Sequence, residues 1–539
     1  METLTGQNRR NLQSSIPDSS SDADRAAYTI YALTLAVSIA LWFLAIRAPL
    51  DIDETGSYWQ ICAGIAKIWP RQFLFPASAP YSYILWFWSR LFGTSEIVLR
   101  IPSVLAMLGA VYLLYRSARE MFDRESALFA AVVFSLHPLI HFASIDVHPY
   151  AFAALAINAA IFILLRLRHN DSNWLAALFG LSAACIVWFQ FLFGAILPVL
   201  VVGFFAIKLS NRRTAWRQFG VALAVFVLVF LPSVPELLYL IHTGETHAVA
   251  AWPFLEVLVL LVAPALMAPV YLCFEVIALL VAKFSTRQRD SLRHLDRSQT
   301  LLCAALGLVP ALILFGVSLG RPVQVFIPRY TLVSVPGIAL CWGLIFSRFR
   351  SRLMRLLLCI SVVAMFCLLE LNSPSSKLHD VQAPWKYALE VAERNAQPDN
   401  APVLICSGVT ESDFAVMPTG SAKTSPLFAP LSYYPISVPV VPLPMSLNSE
   451  AMRDGSHFLQ QAAQKHQRFL AVGYFGSYKT LEWIEQRAST NYTFRKLRAP
   501  GGFEILEFLP RNGMTEKSHR IHPPILAQGD NRKRVHETQ

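Results

Sequence analysis

Apolar runs of about twenty residues recur along most of this chain and restrict what it can fold into. A run of ~20 apolar residues is long enough to cross the hydrocarbon core of a bilayer as a helix. The mean hydropathy of +0.44 and the charged fraction of 15% also indicate a polytopic membrane protein rather than a soluble one. The runs lie near residues 28–48, 97–116, 126–142, 149–166, 174–190, 191–209, 218–238, 254–282, 299–319, 330–347 and 354–371.

These runs predict about eleven spans, and the count depends most on 254–282. That run is long and contains Pro264 and Pro269, so it forms either one kinked helix or two short ones. Divisions of this kind would raise the count to twelve or thirteen. The first run lacks a small-residue cleavage site, which indicates a retained span rather than a removed signal peptide.

The distribution of basic residues predicts the orientation of the chain. Lys and Arg concentrate in the N-terminal tail and in alternate short loops, as expected of segments on the cytoplasmic side. This net charge of +11 is therefore a sign of membrane topology and not of nucleic-acid binding. The intervening loops before residue 371 contain only Lys67, Arg71, Arg90, Arg321 and Arg329.

The predicted orientation places an acidic stretch, Asp51–Glu54, at the start of a long outer loop (residues 49–96). Aromatic amphipathic segments in this loop, Tyr58–Trp69 and Ala79–Phe92, are typical of helices that lie in the membrane interface. The acidic stretch is either a solvated helix end or a set of catalytic carboxylates at the membrane surface. The second outer loop carries Asp146 and His148 at the same depth, where Asp146 is either a helix cap or part of that set.

Arg329 opens the tenth span on the same predicted side as the acidic stretch. One interpretation is an interfacial arginine whose stem lies along apolar surface while its charged head reaches water. The other is a phosphate clamp, because the guanidinium offers a planar fork of donors to phosphate oxygens.

The composition changes after the last predicted span. Alternating helical and strand patterns over 372–510 predict a small α/β domain outside the membrane, large enough for its own core. The polar tails at 1–27 and 511–539 are expected to be disordered, the first of them in the cytoplasm. No Gly-rich phosphate loop, Ser/His/Asp order or zinc motif occurs in 372–510, so its sequence predicts no chemistry.

Four motifs lie on one predicted side of the membrane: Asp53, Glu54 and Tyr58 after the first span, Leu99-Arg100-Ile101-Pro102-Ser103 opening the second, Asp146 with Pro149-Tyr150 before the fourth, and Pro328-Arg329-Tyr330 before the tenth. By the order of these motifs and their common side of the membrane, residues 28–371 resemble the membrane-embedded glycosyltransferases of the GT-C class, near the protein O-mannosyltransferases and the lipid A aminoarabinose transferases. Many relatives have Arg where this chain has His148.

The resemblance implies transfer of a hexosyl or pentosyl group from a polyprenyl-phosphate donor to a hydroxyl on the outer face of the inner (plasma) membrane. An acceptor hydroxyl needs a general base, for which we choose Asp53, and the leaving phosphate needs countercharge. A single displacement would invert the anomeric centre. The catalytic set is then Asp53, Glu54 and Asp146; Arg329, Arg100 and Tyr330 bind the donor phosphate; Tyr58, His148 and Tyr150 contact donor or acceptor.

Glu54 and Asp146 are also candidate ligands for a divalent cation, Mg²⁺ or Mn²⁺, since hard cations prefer carboxylate oxygens. The expected partners are the lipid-linked sugar, an envelope glycan, lipid or protein acceptor, and the bilayer. Two other functions remain open at this point. A transporter would also have many spans and acidic residues at membrane depth, and a non-catalytic envelope assembly protein would use the outer domain to bind partners.

Overall fold

The computed structural model describes residues 19–75, 78–208, 212–243, 277, 297–319, 325–349, 352–372, 385–406, 426–444, 449–474, 478–499 and 502–511. The predicted span at 254–282 lies outside the described residues apart from Ile277, and so does almost all of the predicted tail 511–539. The first helix begins at Ser19, so part of the predicted tail 1–27 is helical rather than disordered.

The described part of the chain up to residue 372 is helical, as expected of a polytopic α-helical membrane protein. Its helices are α1 Ser19–Leu41, α2 Ile52–Cys62, α3 Ile65–Gln72, α4 Ala79–Phe92, α5 Glu96–Met121, α6 Arg124–Leu136, α7 Pro138–Ser144, α8 Tyr150–Leu167, α9 Asn173–Phe189, α10 Leu197–Ile207, α11 Arg212–Phe230, α12 Val234–Thr243, α13 Arg297–Leu319, α14 Pro328–Thr331, α15 Val335–Arg348 and α16 Arg352–Asn372.

Five segments among these residues are long and apolar enough to cross a membrane unaided. Shorter apolar helices at Tyr28–Leu44, Asn173–Phe189 and Phe191–Ile207 coincide with other predicted spans. The five segments are Glu96–Met121, Tyr150–Leu167, Arg212–His242, Arg297–Leu319 and Pro328–Arg348.

The predicted span at 126–142 is not one straight helix. It forms α6 and α7, which meet at an angle of 69°. Pro138 opens α7, where its missing N–H costs nothing, and its ring prevents α6 from continuing. His137 caps the new helix, because its Nδ1 accepts a hydrogen bond from the Leu139 amide at 3.2 Å. The bend moves the chain toward the short loop that carries Asp146.

Small residues allow the helices of the bundle to approach closely where the chain crosses itself. A Cβ on Gly337 would lie 2.1 Å from the Gly307 nitrogen, so α13 and α15 are in backbone contact there. This crossing fixes the start of α15, and with it the preceding turn that carries Arg329. Buried Phe, Leu, Ala and Val side chains from α5 through α16 form one continuous apolar core around it.

Residues 385–510 contain a five-stranded sheet with helices packed against it. The strands are β1 Val403–Cys406, β2 Val440–Leu443, β3 Phe469–Tyr474, β4 Tyr492–Leu497 and β5 Phe503–Pro510, in the order β2-β1-β3-β5-β4. β1 pairs in parallel with β2 and β3, whereas β5 pairs antiparallel with β3 and β4. The helices are α17 Trp385–Ala396, α18 Ala429–Tyr433, α19 Ser449–Gln464 and α20 Tyr478–Ala488.

Among these elements, β2 and α18 have no strand or helix pattern in the sequence, because both fall in a Pro-, Ser- and Tyr-rich stretch (residues 410–450). β2 forms there because β1 is a buried strand whose free edge it completes. The chain between β1 and β2 includes α18, which contacts α2 at the end of the helical bundle.

Candidate active site

The acidic stretch begins a helix and is not a disordered loop. Asp51 caps α2, since its Oδ1 accepts from the Glu54 amide at 2.8 Å and the Glu54 carboxylate accepts from the Asp51 amide at 3.0 Å. This reciprocal capping box satisfies two amides at the helix start. The neighbouring carboxylates also suit the positive end of the helix dipole. Asp51 thereby has a structural role in addition to being solvated.

Glu54 points away from solvent and binds Arg100 of α5. The guanidinium contacts both carboxylate oxygens, Nε to Oε1 at 2.9 Å and NH2 to Oε2 at 2.6 Å. The two side chains are 1% and 0% exposed, so the ion pair is fully buried. A bidentate pair in this setting fixes geometry as well as charge. α2 is thus held against α5 at one defined height.

The rest of the Arg100 guanidinium holds the chain that leads into α2. It donates to the carbonyl oxygens of Ile46, Ala48 and Pro49, which lie between the first helix and the acidic helix. Those carbonyls belong to residues outside a regular helix, where buried acceptors need partners. The Val147 amide of the second loop donates to Glu54 Oε1 at 3.0 Å. This buried centre therefore ties together the segment before α2, α2 itself, α5 and the second loop.

Asp53 lies on a different face of α2 and pairs with Arg329. Its Oδ2 accepts from Arg329 NH1 at 2.5 Å, and the pair joins residues 276 positions apart. The two side chains are 35% and 31% exposed, so this pair is accessible, unlike Glu54–Arg100. Arg329 is placed by the short helix α14, where Pro328 occupies the first turn. The guanidinium also lies 5.4 Å from the Tyr330 ring centroid.

The second loop brings three further candidates to this end of the bundle. Asp146 is buried, and its carbonyl oxygen accepts from Ser103 Oγ of α5 at 2.6 Å. The ring of His148 lies 4.7 Å from that of Tyr150. Its Nδ1 is 3.4 Å from Ser57 Oγ, one helical turn after Asp53. These contacts place His148 beside the face of α2 that carries Asp53.

Tyr150 connects the residues of the two loops. It is 2% exposed, and its electrostatic neighbours include Arg329, Tyr330, Asp53 and Asp146. The structure thus gathers Asp53, Asp146, His148, Tyr150, Arg329 and Tyr330 at one end of the bundle. Tyr58, the remaining candidate, packs edge-on against Tyr433 at 4.8 Å and so faces the C-terminal region.

The three carboxylates Asp51, Glu54 and Asp146 lie close enough to hold a metal, with ligand atoms within 4.8 Å of one another. A carboxylate has about four lone-pair positions. Glu54 already accepts four hydrogen bonds, from two Arg100 nitrogens and from the Asp51 and Val147 amides. A divalent cation at Glu54 would displace these donors and would sit beside the Arg100 charge. The arrangement therefore does not fit a metal ligated by Glu54.

Two residues that the sequence does not single out reach the site from the C-terminal region. The Leu50 amide donates to the Tyr434 hydroxyl at 2.7 Å, directly before the cap of α2. The Tyr433 hydroxyl donates to the Thr94 carbonyl at 2.7 Å, directly before α5. The Tyr-rich composition of their segment is the only signal in the sequence, and it gives no position.

The chain was also compared with known protein families and solved structures. Residues 79–239 match a family model described as dolichyl-phosphate-mannose-protein mannosyltransferase. The structure is similar to that of ArnT from Cupriavidus metallidurans in the apo state, with a TM-score of 0.53 and 14% identity, covering 89% of this chain and 98% of that one. The same protein bound to undecaprenyl phosphate gives a TM-score of 0.52 and 14% identity over 88% and 97%.

A third similar structure is the arabinofuranosyltransferase AftD from Mycobacteria, with a TM-score of 0.48 and 14% identity over 90% of this chain and 40% of that one. No curated protein matches the chain in sequence. The likeness to ArnT shows that this chain and that protein share a fold. The resemblance predicted from the sequence is therefore confirmed.

Proposed function

We propose that the protein is a glycosyltransferase that moves a hexosyl or pentosyl group from a polyprenyl phosphate to a hydroxyl of an envelope glycan, lipid or protein. The accessible Asp53–Arg329 pair carries this proposal, because it sets a carboxylate and a guanidinium side by side at the end of a membrane bundle. Transfer from a lipid-linked sugar needs both groups at interface depth. The structure of ArnT with undecaprenyl phosphate and the matched family supply the donor class.

In the proposed reaction Asp53 is the general base. The acceptor hydroxyl gives its proton to the Asp53 carboxylate as its oxygen attacks the anomeric carbon. The bond from that carbon to the phosphate oxygen breaks, and the electron pair leaves with the polyprenyl phosphate. One displacement on the opposite face inverts the anomeric centre. A positioned base typically contributes ~10²–10⁴ in rate.

Arg329 would stabilise the charge that develops on the leaving phosphate. Its guanidinium is partly exposed and lies beside the Tyr330 ring. Donor binding then has a consequence for the base. A substrate phosphate that binds Arg329 competes with Asp53 for the same guanidinium N–H groups. Binding of the lipid-linked sugar would therefore free the Asp53 carboxylate to act as the base.

Glu54 and Arg100 take different roles from those expected from the sequence. Both are buried and bound to each other, so we assign them to holding α2, and the phosphate role goes to Arg329 and Tyr330. No step is assigned to a metal, because the lone-pair positions of Glu54 are filled. His148 is half-buried beside the face of α2 that carries Asp53, so we assign it and its neighbour Tyr150 to donor or acceptor contacts. Asp146 is buried and its carboxylate lies near those of Asp51 and Glu54, so we assign it to supporting the site.

The proposal includes the topology expected from the basic residues. About eleven spans would cross the inner membrane, with the N-terminus in the cytoplasm and the acidic helix outside. Residues 372–510 would then form an extracytoplasmic domain beside the active site. Contacts of Tyr433 and Tyr434 with the residues around α2 and α5 support that placement, because they require both parts on one side of the membrane.

The test uses purified protein in nanodiscs with a panel of polyprenyl-phosphate sugars and extracted envelope acceptors. Wild type should release polyprenyl phosphate and glycosylate one acceptor class, and Asp53→Asn should lose at least about 10²-fold of that rate. Arg90→Gln is the matched control, since Arg90 is an exposed charge in the same loop. Near-wild-type transfer by folded Asp53→Asn would refute the assignment of the base.

A further inference from the structure

The segment Pro426–Tyr434, here called the docking segment, connects the C-terminal sheet to the acidic helix. It lies between β1 and β2, which pair in parallel as neighbouring strands. On its C-terminal side the chain leads into β2 within a few residues. The polar contacts seen for this segment among the described residues are with protein backbone and with Glu96.

Tyr434 holds the chain directly before α2. Its hydroxyl accepts from the Leu50 amide at 2.7 Å and lies 3.5 Å from Glu96 Oε1, to which it can donate. Leu50 is fully buried and precedes the cap residue Asp51. Arg100 binds the carbonyl oxygens of the preceding residues. Among the described side chains, Tyr434 is the one that accepts a hydrogen bond from the Leu50 amide.

Tyr433 holds the start of α5, the helix that carries Arg100. Its hydroxyl donates to the Thr94 carbonyl at 2.7 Å, and its ring packs edge-on against Tyr58 at 4.8 Å. Nearby, Lys386 of α17 lies 3.9 Å from Glu96 in the first turn of α5. The C-terminal region thus contacts the starts of both α2 and α5, the two helices that the Glu54–Arg100 pair joins.

Apolar contacts from the C-terminal region also reach Ile52, the residue before the proposed base Asp53. Ala429 is fully buried and packs with Trp59 and Phe75 under α2. Ile52, the neighbour of Asp53, packs against both this cluster and the core of the C-terminal sheet. The position of Asp53 along its helix is consequently set from the C-terminal side as well as from the bundle.

We propose that the docking segment is a positioning element, in which Tyr434 sets the height and angle of α2 so that Asp53 reaches the acceptor hydroxyl. This proposal rests on the function proposed above. Misplacement of a reacting group by ~1 Å can cost on the order of 10² in rate. The Leu50 amide donates to the Tyr434 hydroxyl, so Tyr434→Phe removes this hydrogen bond with little change in packing.

The experiment compares wild type with Tyr434→Phe and with Tyr387→Phe, a control tyrosine that is 42% exposed on α17. Hydrogen–deuterium exchange should speed up at residues 50–55 in Tyr434→Phe and stay unchanged in α13 and α15. Steady-state kinetics should show kcat at least about fivefold lower, with the donor KM changed less than twofold. The Tyr387→Phe control should match wild type in both measurements.

Each result decides a separate point. Unchanged exchange at residues 50–55 would overturn the positioning contact itself. Faster exchange with unchanged kcat would also overturn the proposal, because the contact would then be merely structural. A rise in donor KM with constant kcat would place Tyr434 in substrate binding instead. Wild-type protein without any transfer would refute the proposed function, and the exchange data would still decide whether Tyr434 holds α2.

Discussion

Replacing Asp53 by asparagine should strengthen the binding of polyprenyl phosphate, although it should slow transfer at least about 10²-fold. The Asp53 carboxylate accepts a hydrogen bond from the Arg329 guanidinium at 2.5 Å, so a substrate phosphate has to displace Asp53 in order to bind Arg329. The asparagine side chain keeps the shape of the carboxylate but holds the guanidinium far less strongly. The substitution also removes a negative charge that repels the phosphate.

The expected gain follows from the exposure of the pair. Two unit charges ~4 Å apart at an effective dielectric of ~20 attract by about 4 kcal/mol. Both side chains are about one-third exposed, and solvent screening reduces the net value of such pairs to ~0.2–1 kcal/mol. The upper end of that range corresponds to roughly a fivefold lower Kd. Added salt should narrow the difference, because it screens exposed charges.

The measurement is a titration of wild-type, Asp53→Asn and Arg329→Gln proteins with undecaprenyl phosphate in nanodiscs, at low and at high salt. Arg329→Gln should bind the lipid more weakly than wild type. Asp171→Asn is a control for general charge effects, because Asp171 is an exposed carboxylate elsewhere on the bundle. Weaker binding by Asp53→Asn, or no salt-dependent difference from wild type, would refute the competition between Asp53 and the phosphate.

Three other perturbations test the supports of the site and of the sheet. Glu54→Gln leaves the Arg100 charge buried without its partner, so it should lower the free energy of unfolding by about 3–5 kcal/mol, measured as a lower Tm in detergent. Glu236 of α12 is fully buried, and its carboxylate contacts the Ser78 backbone amide but has no ion-pair partner among the described residues. Glu236→Leu should therefore raise stability by about 1–3 kcal/mol in the same assay. Burial acts to raise the pKa of Glu507, but hydrogen bonds and charges from Arg495 and Arg468 outweigh burial and lower the pKa overall. The ionised Glu507 therefore stabilises the folded protein above the usual Glu pKa of ~4.3. That stabilisation is lost as the pH falls through the lower pKa that Glu507 has in the folded protein. Acid titration followed by tryptophan fluorescence should therefore show a shallower acid limb for Glu507→Gln.

The contradicting outcomes differ among these three. An unchanged Tm for Glu54→Gln would mean that Arg100 finds another anion or is hydrated. A lower Tm for Glu236→Leu would show that the carboxylate has a stabilising partner in the native protein. An acid limb that steepens in Glu507→Gln would reverse the sign of the linkage. The exposed pair Arg166–Glu120 provides a control, since Glu120→Gln should change the Tm little.

Periodicity and length predict the helices of this chain well because the bilayer imposes one simple requirement on each span. The span at 126–142 shows where the requirement is insufficient. Its composition is apolar throughout, but Pro138 and the His137 cap divide it into two helices at 69°. Hydropathy indicates how deep in the membrane a residue prefers to lie. It does not indicate where a residue such as Pro138 interrupts the hydrogen bonds of the helix backbone.

The members of the candidate site follow from the order of motifs, whereas their pairing does not. Asp53 and Glu54 are adjacent in sequence and chemically alike. Asp53 is about one-third exposed and pairs with Arg329, whereas Glu54 is fully buried and pairs with Arg100. Successive residues on a helix point about 100° apart, so burial separates their roles. Only the packing of α2 decides which carboxylate faces which arginine.

Tyr434 illustrates a contact that no local pattern could predict. It lies in a Pro- and Ser-rich segment without periodicity, and its partner Leu50 is 384 positions earlier. The bond depends on β2 completing the sheet beside β1, which brings the chain back toward α2. A residue of this kind becomes visible only when the tertiary structure is known.

That separation also sets the timing of the site during synthesis. Ribosomes add ~5–20 residues per second, so roughly 20–80 s pass between the synthesis of Leu50 and that of its partner Tyr434. During that interval the nascent bundle has its acidic helix but not the segment that steadies it. A chain that ends before Tyr434 would carry every charged residue of the proposed site and still lack the contact that holds α2 in place. Completion of the C-terminal sheet would therefore be the last step in the maturation of the site.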